Sequence, residues 1–184
     1  MQTMNPVKMI VPAIVAIGLT LYSFSLFTGN AFIQKDRRSP APAEQHGIGL
    51  SARYPIAIQQ WKSNIEDNAL EFNLDPNLIA AVMLQESGGS AEAISSSGAV
   101  GLMQVMPRDG IAAGFMCNGK PCFASRPSMD ELLDPVFNIE YGARMLAGLL
   151  SKKGSLREAL YAYGPYDMEY RYADIVLDIY ENYQ

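Results

Sequence analysis

The sequence predicts a mainly α-helical domain behind an N-terminal apolar helix. Three observations point that way. Apolar residues recur at helical spacing in blocks separated by glycine and proline. An Asp-Pro pair, which offers an N-cap followed by a proline at the first helical position, heads two of those blocks. No stretch of convincing length alternates apolar with polar residues as a half-buried strand does. The chain has 184 residues, 49% hydrophobic and 18% charged, which suits one globular domain plus an appendage.

The appendage comes first. Met9 to Phe27 run for nineteen residues without a charge, after Lys8 and before a polar, proline-containing tract that reaches Gln45. As a helix this run spans about 28 Å, enough to cross a bilayer core and longer than the usual core of a signal peptide. Two readings stay open: an anchor retained in the inner membrane over residues 9–27, or a signal peptide removed near Ala31, where Gly29-Asn30-Ala31 offers small residues. Lys35, Arg37 and Arg38 would lie on the exported side, against the positive-inside tendency. Residues 1–34 are therefore read as a signal-anchor or signal peptide, 35–50 as a linker that holds the single histidine, His46, and 51–184 as the folded domain.

Within that domain, a first helix from about Pro55 to Phe72 carries Ile56, Ile58, Trp61, Ile65 and Leu70 as packing residues. Asp75-Pro76 opens a second, which ends at Glu86 before Gly88-Gly89. Asp134-Pro135 opens a third through Ile139, Ala143, Leu146 and Leu150, stopped by Gly154. Ser155 caps a fourth, Leu156 to about Tyr163. After Gly164-Pro165 a last helix, about Met168 to Tyr183, presents Tyr172, Ile175, Val176, Ile179 and Tyr180 on one side, read as core.

Two cysteines, Cys117 and Cys122, bracket the turn-forming Asn-Gly-Lys-Pro. In an exported protein they close a small disulfide loop; in a reducing compartment they are two free thiols. Their spacing is not that of a CxxC motif and a metal site would want more ligands, so neither metal nor cofactor is expected. The net charge of −5 and the scattered positions of the 14 Lys and Arg argue against a nucleic-acid partner.

Glu86 is the residue with chemical promise. Ile79, Val82, Met83 and Glu86 fall at i, i+3, i+4 and i+7 and share one helix face. A carboxyl held against apolar side chains keeps its proton to higher pH and can serve as a general acid. The alternative on these grounds alone is a solvated Glu near a helix end.

Glu86-Ser-Gly-Gly, followed by Ser95-Ser-Ser-Gly-Ala-Val-Gly-Leu-Met-Gln-Val-Met-Pro107, resembles the signature of the soluble lytic transglycosylase (SLT) domain, a lysozyme-like family. Leu133-Asp-Pro-Val-Phe-Asn-Ile-Glu-Tyr-Gly-Ala-Arg-Met-Leu146 is similar to the family's DPxxNIxxGAxYL helix, and Ala159-Leu-Tyr-Ala-Tyr163 to the start of its AYNAG motif. The resemblance covers most of residues 55–180. It implies a lysozyme-like helical fold and cleavage of the β-1,4 bond between N-acetylmuramic acid (MurNAc) and N-acetylglucosamine (GlcNAc) in peptidoglycan, leaving a 1,6-anhydroMurNAc end. It further implies Glu86 as acid and then base, with Ser95, Gln104, Met106 and Tyr163 lining the glycan site. Core packing is the alternative for Met106. The chain departs from the family at Gly164-Pro165, which replace the Asn-Ala of AYNAG.

A glycosidase that activates water or forms a glycosyl ester needs a second carboxylate. Between Glu86 and Pro107 there is only Glu92, and Asp109 follows in an Arg-Asp-Gly turn. That scarcity favours a lyase over a muramidase; a non-catalytic glycan-binding component of an envelope-spanning or virion assembly is the further rival. The implied partners are peptidoglycan strands and, through the N-terminal helix, a membrane. The implied location is the periplasm or cell envelope, in the setting of cell-wall turnover or of a secretion, conjugation or phage-entry assembly.

Overall fold

A computed structural model describes residues 49–184. The apolar run at 9–27, the Ala31 cleavage site, His46 and all but the last two residues of the 35–50 linker lie outside the described residues. The described part is mainly helical, as the sequence predicts. Its helices are α1 (Ile56–Gln59), α2 (Lys62–Phe72), α3 (Pro76–Ser87), α4 (Met129–Leu132), α5 (Pro135–Lys153), α6 (Leu156–Tyr163) and α7 (Tyr170–Tyr183). Among the described residues no helix is long and apolar enough to cross a membrane.

Helix α3 forms the centre. Every residue from Asn77 to Met83 is buried, so this helix is enclosed on all sides rather than along one stripe. Helices α1, α2 and α7 pack around it, while α5 lies against α2, α4 and α6. The caps read from sequence are in place: Asp75 Oδ1 accepts from Asn77 N at 2.8 Å, Asp134 Oδ1 from Phe137 N at 2.9 Å, and Ser155 Oγ from Glu158 N at 3.3 Å. Each such cap is worth about 1 kcal/mol. Ser128 and Glu131 form a reciprocal capping box on α4, a helix too short to register as a periodic pattern.

The first predicted helix is in fact two. Trp61, at φ −97° and ψ 8°, interrupts it and starts α2 in a new phase. Two of its five expected packing residues face water, Ile56 at 83% exposed and Leu70 at 86%. The reason is angular: α2 buries Ile65, Asn68 and Ala69, and Leu70, five positions past Ile65, points about 140° away from that stripe. Ile56 stands two positions, about 200°, from the buried Ile58.

The last helix also starts later than predicted. A single 3-10 turn at Tyr166–Met168 precedes it, and Glu169 at the junction has φ 48°. A two-stranded antiparallel hairpin, β1 (Met116–Cys117) and β2 (Lys120–Pro121), breaks the all-helical pattern. Asn118 and Gly119, both with positive φ, make its turn, and a disulfide joins Cys117 to Cys122 across its base.

Between α3 and the hairpin, residues 93–105 fold as a tight meander with bridges Ile94↔Val100 and Val100↔Val105. Asn138 of α5, fully buried, holds it. Its amide donates to Val100 O at 2.9 Å and Leu132 O at 2.8 Å, and its carbonyl accepts from Met103 N at 2.8 Å. Gly101 and Gly142 are glycines for contact reasons: a Cβ would lie 2.3 Å from Asn138 Nδ2 in one case and 2.5 Å from Met103 Cβ in the other.

Candidate active site

Glu86 occupies the last turn of α3, which ends when Gly88 enters the left-handed region at φ 62°. Two contacts fix this end against the meander and α1. Ser87 Oγ donates to Leu102 O at 2.8 Å and accepts from Gly89 N at 3.1 Å. Trp61 Nε1 donates to Gly89 O at 3.2 Å. Gly89 can be nothing larger, since a Cβ there would sit 2.3 Å from Ala57 O.

Burial pushes the Glu86 carboxyl up to about 7, and a hydrogen bond from Tyr172 holds it back from rising further. Tyr172 Oη donates to Glu86 Oε1 at 2.5 Å from α7, and its ring is 1% exposed. Burial, then the adjacent Glu86 charge, keeps the Tyr172 phenol well above its ordinary value, so it remains a donor. Gly164 makes room for it: a Cβ at that position would lie 2.3 Å from the Tyr172 ring.

Tyr163, at the end of α6, is also brought beside Glu86. Burial raises its phenol well above the usual range, the Glu86 charge adds to this, and Arg126 opposes it. Its hydroxyl donates to Met103 O at 3.0 Å rather than to the carboxyl. The other expected site residues lie on the meander or, for Met106, just past it. Ser95 Oγ accepts from Ala99 N at 2.9 Å and so braces its own turn. Gln104, at φ 45°, spends both amide protons on backbone, with Nε2 at 3.0 Å from Ala93 O and 2.9 Å from Gly101 O. Only its amide oxygen remains to meet a ligand. Met106 is half-buried beyond the enclosed Val105.

The carboxyl group is therefore bonded by the Tyr172 phenol, with the Tyr163 phenol near enough to feel its charge, and its shift owes nothing to a second acid. Of the nearby acids, Glu92 is exposed, and Asp109 Oδ1 accepts from Met129 N at 2.8 Å to hold the start of α4. Such a group can give a proton near neutrality and take one back. Sequence reasoning placed Tyr172 in the core and missed its role. The available signal was a hydroxyl on a face read as core, because a buried phenol needs an acceptor.

Comparison with known proteins identifies the family. The family model described as the transglycosylase SLT domain matches residues 63–165, more than half of the chain. The chain is 31% identical over 143 residues to membrane-bound lytic murein transglycosylase E of Buchnera aphidicola, covering 78% of this chain and 62% of that protein. It is 35% identical over 104 residues to a transglycosylase of Enterobacteria phage PRD1, covering 56% of this chain and 34% of that one. Among solved structures it is similar to an inactive mutant of lytic transglycosylase Slt from Pseudomonas aeruginosa, with 25% identity and a TM-score of 0.47 over 71% of this chain and 22% of that chain. The chain thus spans less than two thirds of the length of each of these relatives. With Glu86, the Gly98–Pro107 segment, the α5 motif and Tyr163 all inside the matched residues, the chain belongs to the transglycosylase SLT domain family.

Proposed function

We propose that the domain is a peptidoglycan lytic transglycosylase that cleaves the MurNAc–GlcNAc β-1,4 bond with Glu86 as its single acid and base. The observation that carries this reading is the Glu86 carboxyl, raised by burial to about 7 and held by Tyr172 with no carboxylate acting on it. Protonated Glu86 gives its proton to the glycosidic oxygen, and the GlcNAc end leaves as an alcohol. The 2-acetamido oxygen of the muramoyl unit closes on C1 as an oxazolinium. The Glu86 carboxylate then removes the C6 hydroxyl proton, O6 bonds to C1, and the oxazolinium opens back to the acetamide. Tyr172 donates to the carboxylate form and steadies it between the two proton transfers.

Ser95, Gln104, Met106 and Tyr163 line the glycan in this reading, with the Gln104 oxygen accepting from a sugar hydroxyl or amide. The apolar run Met9–Phe27 and the membrane-bound relative support work in the cell envelope. Mass spectrometry of digested sacculi tests the proposal. The expected product ends in 1,6-anhydroMurNAc and disappears in Glu86→Gln; reducing-end muramic acid as the main product would assign a muramidase instead.

A further inference from the structure

Arg126 is the one described cation that is both half-buried and without a carboxylate. Arg108, Arg144, Arg157 and Lys62 pair with Glu131, Glu140, Asp174 and Glu66. Lys120, Lys152, Lys153 and Arg171 have no ion-pair partner among the described residues but are exposed, and Arg53, also exposed, bonds Gln184 O. Arg126 is held from three sides. Its Nη1 donates to Met145 Sδ of α5 at 2.8 Å, and its guanidinium carbon lies 5.8 Å from the Phe123 ring centroid. Its N–H donates to Phe123 O at 2.9 Å, and its carbonyl accepts from Arg108 Nη1 at 3.2 Å.

A thioether is a weak acceptor for a group with five N–H donors. Among the described residues no buried side-chain nitrogen or oxygen lacks a hydrogen-bond partner. The N–H groups that Arg126 does not spend on Met145 therefore open to solvent, not into the core. They open near the site by geometry: Met145, which Arg126 contacts, lies one turn along α5 from Gly142, Gly142 packs on Met103, and the Met103 carbonyl accepts from Tyr163. If its task were bracing the 108–127 segment, the guanidinium would bond that segment's carbonyls, as Arg108 does with Arg126 O.

We propose that Arg126 is a substrate subsite for a carboxylate carried on the lactyl-peptide branch of muramic acid. The inference rests on the peptidoglycan reading above and adds the feature of the strand that the site selects. Muramic acid is the sugar of this polymer that bears a carboxyl-derived branch, and a planar guanidinium fork fits a carboxylate through two parallel hydrogen bonds. A pinned backbone and a packed stem hold that fork in place before substrate arrives, which limits the entropy lost on binding.

Three substrates test it: peptide-bearing glycan strands, the same strands with their carboxylates amidated, and peptide-free strands whose lactyl carboxylate is exposed. The readout is the ratio of kcat/KM on charged strands to that on amidated strands, taken within each variant so that any loss of folded protein cancels. Arg126→Met lowers this ratio about tenfold from wild type, and Arg126→Lys falls between them. A larger drop on peptide-bearing strands assigns the peptide carboxylates, and a larger drop on peptide-free strands assigns the lactyl group. An unchanged ratio in Arg126→Met, with wild type active, overturns the subsite alone. Wild-type inactivity on all three substrates overturns the transglycosylase reading and this inference with it.

Discussion

A carboxyl that keeps its proton near neutrality costs stability whenever it must ionise. The folded-state value of about 7 for Glu86 lies above its ordinary 4.5. Folding therefore favours the protonated form: the group costs nothing below about pH 4.5 and destabilises progressively as pH rises through 7, to a limit of about 3 kcal/mol. Glu86→Gln should consequently stabilise the domain at pH 8 and leave it nearly unchanged at pH 4, as denaturant unfolding at the two pH values will measure. On the proposed mechanism Glu86 works as an acid only while protonated, so kcat/KM should fall as pH rises past about 7. Tyr172→Phe removes the one interaction that lowers the Glu86 value, so it should move that alkaline limb to higher pH while reducing kcat. A limb that stays in place or moves down would remove Tyr172 from the account. Glu86 itself was legible in the sequence from helical spacing and the glycines after it. Tyr172 was not, because a tyrosine on an apolar helix face reads as core until its partner, far away in the chain, is known.

At the level of elements, helix starts and stops were legible wherever a local hydrogen bond or a left-handed glycine made them, as at Asp75, Asp134, Ser155, Gly88 and Gly154. The break at Trp61 was hidden because no glycine or proline marks it, and Ile56 and Leu70 face outward because each lies off the buried stripe of its own helix. The meander was legible only through its resemblance; its physical support comes from α5. Asn138→Ala would leave Met103 N and Leu132 O without partners in a dry interior and Val100 O with only Val105 N, costing about 3 kcal/mol, measurable as a lowered unfolding midpoint. Gly164→Ala tests α6 against α7. The Gly164 backbone is ordinary at φ −69°, so the substitution acts only through contact with the Tyr172 ring. It should shift the alkaline limb in the same direction as Tyr172→Phe, with the two changes non-additive in the double variant.

For the whole molecule, the site is made by elements from opposite ends of the described chain. The C-terminal helix grips the start of α3 as well as its end: Tyr180 Oη donates to Asp75 Oδ2 at 2.8 Å, and Tyr183 stacks on Tyr54 with centroids 4.8 Å apart. Removing residues 179–184 should therefore lower the melting temperature and reduce activity together, even though none of them touches Glu86; a truncated chain that melts like the intact one would refute the tether. Glu86 and its phenol partner are 86 positions apart in sequence. During synthesis the carboxyl emerges long before Tyr172 exists, and nothing holds it until α7 docks. A fragment ending before α7 would thus keep the carboxyl and lack the hydroxyl that bonds it.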